Sequence, residues 1–250
     1  MGVPVVGVVP AAIVPMMNRP RYWGVIPAAG KGTRMGAELP KQYLELAGRR
    51  VLEHTLNRLA ADPRIVGIVV ALGADDTLWP RVDPPQSVTL LTVTGGAERC
   101  HSVLNALDHL AERADEHDWV LVHDAARPCL RVADLARLID TLTEDPVGGL
   151  LALPVHDTMK RASADRRVLD TVNRDGLWHA LTPQMFRLGA LRAALKAAIA
   201  AGFLVTDEAA AMEWSGHRPR LVEGSGDNLK ITRPEDLPLA EYYLGRQAPG

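Results

Sequence analysis

Apolar positions along this chain fall into two alternating kinds of run. Trp23 to Pro27 is short and apolar and predicts a buried strand. Ile65 to Leu72 (IVGIVVAL) is rich in β-branched residues without alternation, the pattern of a strand buried on both faces. Val88 to Val93, Trp119 to His123 and Gly149 to Val155 read the same way. Between them, Val51, Leu52, Thr55, Leu56 and Leu59 recur at helical spacing, as do Val103, Leu104, Leu107 and Leu110 and the segment Val132 to Leu142. Strands alternating with helices predict right-handed βαβ units. The expected architecture is a doubly wound α/β fold with a mostly parallel sheet covered by helices on both faces.

The rhythm breaks over about 154–182. Asp157 to Ala162 and Arg167 to Val172 read as two short strands around the polar turn Ser163-Ala164-Asp165, a hairpin that predicts a projecting β-arm. Beyond it, a helix is expected from Leu188 to Ala201, ended by Gly202, and a second from Thr206, which can cap it. A strand at Arg220 to Glu223, a loop at Gly224 to Asn228 and a helix from Pro234 to Leu244 complete the pattern. Residues 22–250 thus read as one domain. Residues 1–21 read as a disordered extension: Met1 to Met17 is apolar but broken by Pro4, Pro10 and Pro15. It lacks the basic start of a signal peptide and is too short and proline-broken to span a membrane. Position six is Val6, which misses the myristoylation pattern.

Composition narrows the function. The chain is 47% apolar and 23% charged, with a formal net charge of −2. That balance points to neither a nucleic acid nor a membrane as partner, so a phosphate ligand needs a local basic cluster. Cys100 and Cys129 form no C-x-x-C pair, which argues against a disulfide framework or zinc and fits buried thiols in a reducing cytoplasm. No two histidines show H-x-x-x-H spacing, and no G-x-S-x-G elbow offers a covalent nucleophile.

The local basic cluster is PAAGKGTRMGAELPK, Pro27 to Lys41, which follows the first strand. Pro27, Ala28 and Ala29 lead into Gly30 and Gly32, which allow a ligand to approach bare backbone N–H groups. Lys31, Arg34 and Lys41 add positive charge, and together these features suit a nucleoside triphosphate. The spacing matches neither a Walker loop nor the dinucleotide G-x-G-x-x-G fingerprint. Asp124 lies just past the Trp119 to His123 strand, where parallel sheets place their ligand crevice. It suits a Mg²⁺ ion near phosphates, a ribose hydroxyl, or a helix cap. Arg127, three residues on, can pair with Asp124 or meet a phosphate.

With these residues in view, the sequence resembles the nucleotidyltransferase superfamily through its GxGTR-type loop and the Pro40-Lys41 pair. Within it, an ordered set of segments resembles the 2-C-methylerythritol 4-phosphate cytidylyltransferases of non-mevalonate isoprenoid synthesis. These are Lys41 to Tyr43 (KQY), Gly95 to Arg99 (GGAER), Val122 to Pro128 (VHDAARP), Asp157 to Arg161 (DTMKR), Leu177 to Gln184 (LWHALTPQ), Thr206 to Ala209 (TDEA) and Asn228 to Leu237 (NLKITRPEDL). The resemblance covers roughly 22–244. It implies a Rossmann-like nucleotidyltransferase fold, CTP and a methylerythritol phosphate as substrates, Mg²⁺ as cofactor, and a homodimer formed through the arm. It implies that Gly95 and Gly96 belong to a second nucleotide loop, with Ser102 as the hydroxyl that reads cytosine or, alternatively, an ordinary helix-start serine. It implies that Thr158 and Arg174 hold the acceptor phosphate, with Arg127 near it, and that Lys230 binds phosphate with Asp227 as a metal contact.

The reaction so implied is displacement at the α-phosphorus of CTP by the acceptor's phosphate oxygen. Arg34 and Lys41 would stabilise the developing charge, while Arg174 and Lys230 position the acceptor. Two other readings remain at this stage. One is a nucleotidyltransferase for another acceptor, such as ribitol 5-phosphate; the other is a non-catalytic nucleotide-binding module.

Overall fold

A computed structural model of the chain describes residues 20–30 and 39–247. Residues 1–19 of the expected extension lie outside this range. Arg21, the last residue of that extension, is fastened to the domain: its backbone N–H and Nε donate to the Asp118 carboxylate at 2.8 and 3.1 Å.

The strands are β1 (Tyr22–Pro27), β2 (Glu45–Leu46), β3 (Arg49–Arg50), β4 (Ile65–Leu72), β5 (Thr89–Thr94), β6 (Trp119–Val122), β7 (Gly148–Pro154), β8 (Met159–Ala162), β9 (Val168–Val172), β10 (Trp178–Arg187) and β11 (Arg220–Glu223). The helices are α1 (Val51–Ala60), α2 (Arg99–Leu110), α3 (Val132–Leu142), α4 (Leu188–Ala200), α5 (Glu208–Trp214) and α6 (Asp236–Gln247). Seven strands form one sheet in the order β11-β7-β10-β6-β1-β4-β5. β5, β4, β1 and β6 run parallel, as do β7 and β11, while β10 runs antiparallel to both its neighbours. The fold is therefore the doubly wound, mostly parallel α/β sheet that the alternation predicts.

The central strands β1, β4 and β6 are buried on both faces, which is why they read as unbroken apolar runs. In β6, Val120 and Val122 join Trp23, Val25 and residues of α2, α4 and α5 in one core. Trp119 and Leu121 turn the other way, to Ile26, Ile68 and residues of α1 and α3. Gly67 interrupts the β4 run for a packing reason: a Cβ there would collide with the Trp23 ring.

Two expectations need correction. The sequence pattern predicts no strand over 178–187, yet β10 lies in the middle of the sheet. Pro183 disguises it, because proline cannot donate to a ladder. Its pairing with β7 skips from Ala180 to Gln184, and its pairing with β6 begins only at Gln184, so Pro183 sits where no ladder bond is required. The second correction is local. Asp207, not Thr206, caps α5, its carboxylate accepting from the Ala210 N–H at 2.9 Å.

β8 and β9 form a separate antiparallel pair, exposed along nearly its whole length. No helix among the described residues is long and apolar enough to cross a membrane.

Candidate active site

The carboxyl ends of β1 and β6, the start of α2 and the segment before α6 enclose a crevice of about 300 Å³. Pro27, Ala28, Ala29 and Gly30 form one wall, where the first strand runs into its loop. Gln42 holds that wall in shape: its Nε2 donates to the carbonyls of Ala28 at 2.7 Å and Gly30 at 3.2 Å. Lys31, Gly32 and Arg34 lie outside the described residues. Lys41 lines the crevice and donates from Nζ to the Ile231 carbonyl at 3.0 Å, across 190 positions of sequence.

The opposite wall comes from the loop after β5. Gly96, Ala97, Glu98 and Arg99 line it, and α2 begins at Arg99, so the positive end of a twelve-residue helix lies at the crevice wall. The glycines are needed for close approach. A Cβ at Gly95 would meet Ala29 and Ser102, and one at Gly96 would meet His101. Ser102 is buried; its Oγ accepts from the Gly96 N–H at 3.1 Å and donates to the Glu98 carbonyl at 3.2 Å. In this conformation the hydroxyl ties the loop together, although the residue also lines the crevice.

Asp124 occupies the floor. Its Oδ1 accepts from Arg99 Nε at 3.0 Å, and its Oδ2 faces Lys230 Nζ at 2.8 Å and Arg127 Nε at 3.4 Å. Burial alone would raise the Asp124 carboxyl; the charges of Arg99, Lys230 and Arg127 overcome it and hold the group well below the usual carboxylate range. Behind it, Arg99 makes a two-pronged pair with Glu208, at 2.7 and 3.0 Å. Burial pushes Glu208 upward against the pull of Arg99. This pair links residues 109 positions apart, and neither spacing nor composition announces it.

The remaining candidates are placed differently. Arg127 is buried and off the crevice lining. Its Nη1 donates to the Asn228 carbonyl at 2.6 Å, which fastens the 227–230 turn to Asp124. Asp227 faces away from the crevice: its Oδ2 accepts from Arg131 Nε at 2.7 Å and Gln247 Nε2 at 2.8 Å. Asp124 and Asp227 are therefore not brought together as a metal pair. Among the described residues, no group of three or more His, Cys, Asp or Glu side chains is placed to hold a metal. Thr158 and Arg174 sit at the base of the arm, exposed and outside the crevice, with Arg174 Nη1 donating to the His156 carbonyl.

The crevice can thus take up a polyanion against backbone, a helix start and the side chains of Lys41, Arg99 and Lys230. Comparison with known proteins agrees with this chemistry. The sequence model of the 2-C-methyl-D-erythritol 4-phosphate cytidylyltransferase family matches residues 23–246. The chain is 58% identical over 219 residues to the 2-C-methyl-D-erythritol 4-phosphate cytidylyltransferase of Pseudomonas aeruginosa, covering 87% of this chain and 94% of that one. It is 57% identical over 218 residues to the enzyme of the same name from Ectopseudomonas mendocina, covering 87% and 93%. A crystal structure of a 4-diphosphocytidyl-2C-methyl-D-erythritol synthase superposes with a TM-score of 0.80 at 38% identity, covering 91% of this chain and all of the other. The Francisella tularensis 2-C-methyl-D-erythritol 4-phosphate cytidylyltransferase superposes with a TM-score of 0.78 at 35% identity, covering 89% and 99%.

Proposed function

This chain belongs to the 2-C-methyl-D-erythritol 4-phosphate cytidylyltransferase family, and from that premise we propose how its residues divide the work. The enzyme transfers CMP from CTP to 2-C-methyl-D-erythritol 4-phosphate, giving 4-diphosphocytidyl-2-C-methyl-D-erythritol and pyrophosphate in isoprenoid precursor synthesis. In the step we propose, an oxygen of the acceptor phosphate attacks the α-phosphorus of CTP. The new P–O bond forms as the bond to the β-phosphate bridge breaks, and pyrophosphate leaves with that electron pair. The attacking oxygen is already an anion, so no strong base is required. The enzyme's task is to bring two anions together and stabilise the departing charge.

What supports this reading is that Lys41, Asp124 and Lys230, from three separate loops, meet in one crevice at the sheet's carboxyl edge. The backbone of Pro27 to Gly30 and of Gly96 takes the nucleoside end, with Gly95 and Ser102 shaping that wall. Lys41 and Arg34, with Lys31 and Gly32 in the same loop, meet the phosphates. Lys230 leaves Asp124 for the acceptor phosphate once the substrate offers a stronger anionic partner, while Arg127 keeps Asp124 and the 227–230 turn in register.

Asp124 is the carboxylate that would hold a magnesium ion beside the phosphates; Asp227 is turned away from the crevice. When bound there, the ion neutralises phosphate charge.

Thr158 and Arg174 serve the crevice of a second copy, the arms being exchanged in a homodimer. The arm has no core of its own, and Val168 and Leu169 are 64% and 63% exposed, so a partner surface is what would cover them. The two free, buried cysteines suit the reducing cytoplasm. Coupled measurement of pyrophosphate release tests the whole reading, with CTP, ATP, GTP and UTP each offered against 2-C-methyl-D-erythritol 4-phosphate and ribitol 5-phosphate. Release is expected only with CTP and the methylerythritol phosphate. Equal release with ribitol 5-phosphate would overturn the acceptor assignment.

A further inference from the structure

A second pocket, of about 600 Å³, opens on the face of the 227–230 turn that looks away from the crevice. Arg58 of α1, Arg131 at the start of α3, and Tyr242, Arg246 and Gln247 of α6 line it with Asp227. Among the described residues its charges do not balance. Three guanidinium groups face a single carboxylate, and one of them, Arg131, already spends its Nε on Asp227. Arg58 has no hydrogen-bond or ion-pair partner among the described residues, although burial lowers its pKa, a sign of desolvated charge. Arg246 rests over the Tyr242 ring at 6.0 Å and has no ion-pair partner among the described residues. Guanidinium forks in this state match phosphate oxygens.

The pocket also has an unmet demand of the opposite kind. Asp227 is 6% exposed, and among the described residues its buried Oδ1 has no donor; the buried Oε1 of Gln247 beside it likewise has none. A buried acceptor left without a donor is destabilising, and a ligand's hydroxyl at the base of the pocket would satisfy it. Unpaired donors at the mouth and unpaired acceptors at the base ask for one molecule with both functions.

We propose that this pocket is a binding site for a phosphate monoester that also carries a hydroxyl group. The phosphate lies between Arg58 and Arg246, and the hydroxyl donates to Asp227 Oδ1 beside Gln247. The site is separate from the crevice and does not depend on the roles assigned there.

The test uses sn-glycerol 3-phosphate as probe, with inorganic phosphate and glycerol as its two halves, titrated into isotope-labelled full-length protein and followed by NMR. Saturating shifts are expected at the backbone and arginine signals of 58, 131, 227 and 242–247, with a dissociation constant on the order of a millimolar, the range of a fragment-sized ligand. Arg246→Gln lies on the surface and leaves the core untouched; it should weaken binding about tenfold, as loss of a charge-assisted contact does. Arg58→Gln should do the same. Shifts confined to crevice residues such as Gly96 and Lys230, or unchanged binding by a folded Arg246→Gln, would overturn the site. Inorganic phosphate binding as tightly as glycerol phosphate would overturn the part assigned to the hydroxyl.

Discussion

His123 should remain neutral down to a pH at which an exposed histidine is fully charged, and the enzyme's stability should register this. The side chain is wholly buried beneath Asp124. Its Nε2 lies 3.1 Å from the Arg127 carbonyl, which can only accept, so Nε2 carries the hydrogen. Its Nδ1 then accepts from the Thr182 hydroxyl at 2.8 Å, and that hydroxyl oxygen accepts from the Asp124 N–H at 3.1 Å. A second ring proton would turn a donor against a donor in a dry site. Burial drives the pKa from 6.5 down to about 4, with the Asp124 charge offsetting only part of it. The folded value is the lower one, so between the two values the unfolded chain binds a proton that the folded chain refuses. Stability is therefore full above about pH 6.5 and falls as the pH drops toward 4. At about 1.4 kcal/mol per unit, that shift is worth about 3 kcal/mol. This is a large part of a typical domain's 5–15 kcal/mol. Urea unfolding should lose most of that stability between about pH 7.5 and pH 4.5, while NMR shows a mainly neutral ring protonated at Nε2 over that range. Titration of this ring near pH 6.5 would refute the reasoning outright.

The other predictions concern the crevice and the arm. Lys41→Ala and Arg34→Ala should each cut turnover on the order of 10²–10³-fold with secondary structure intact, as removing preorganised charge stabilisers does; near-normal turnover in both would remove the phosphate roles. EDTA should abolish activity and Mg²⁺ restore it, and full activity in metal-free buffer would leave Asp124 without a metal. Glu208→Gln keeps the shape but leaves Arg99 beside one charge instead of two, and should cost roughly 1–3 kcal/mol in unfolding stability. A change below about 1 kcal/mol would mean the pair is replaceable by water. Lys41→Ala and Arg174→Ala homodimers should both be inactive, yet unfolding, mixing and refolding them should return about a quarter of wild-type sites if arms are exchanged at random. Mixed dimers that stay inactive would confine both residues to one chain's site.

The parts of this fold legible in the sequence are those set by local rules. β4, α3 and β11 begin and end where their patterns do, because a buried strand or an amphipathic helix is written in consecutive residues. β10 escaped for the converse reason. Its exposed first residues, Trp178 to Ala180, belong to the root of the arm, its buried part begins at Leu181, and Pro183 falls inside that buried part. No single period spans such a strand. In the site, the sequence identified the loops but not the side of each loop that a side chain takes. Asn228 points inward and donates to the Thr182 carbonyl at 2.8 Å, while Asp227, one residue earlier, points to Arg131. Gln42 and Glu208 lay inside segments that resembled the family, yet their task of holding Ala28 and Arg99 depends on partners that only the folded chain reveals.

Charge explains why the crevice is built this way. Among the described residues, Lys41, Arg99 and Lys230 line it against Glu98 and Asp124, and Glu208 stands directly behind Arg99. With Arg127, which faces Asp124 from behind the lining, four cations thus meet three carboxylates. A cleft holding three unpaired cations would be costly to fold, because like charges repel strongly where water is scarce. Pairing them removes that cost but leaves a nearly neutral lining. A triphosphate beside a phosphate monoester brings far more negative charge than such a lining can meet. On the function proposed above, the difference comes from Lys31 and Arg34, from magnesium beside the phosphates and from a second chain's arm. It also comes from Asp124 itself. On that reading Lys230 is the cation that a phosphate oxygen takes over from Asp124, so an ion pair that helps the site fold is also a contact the substrates replace.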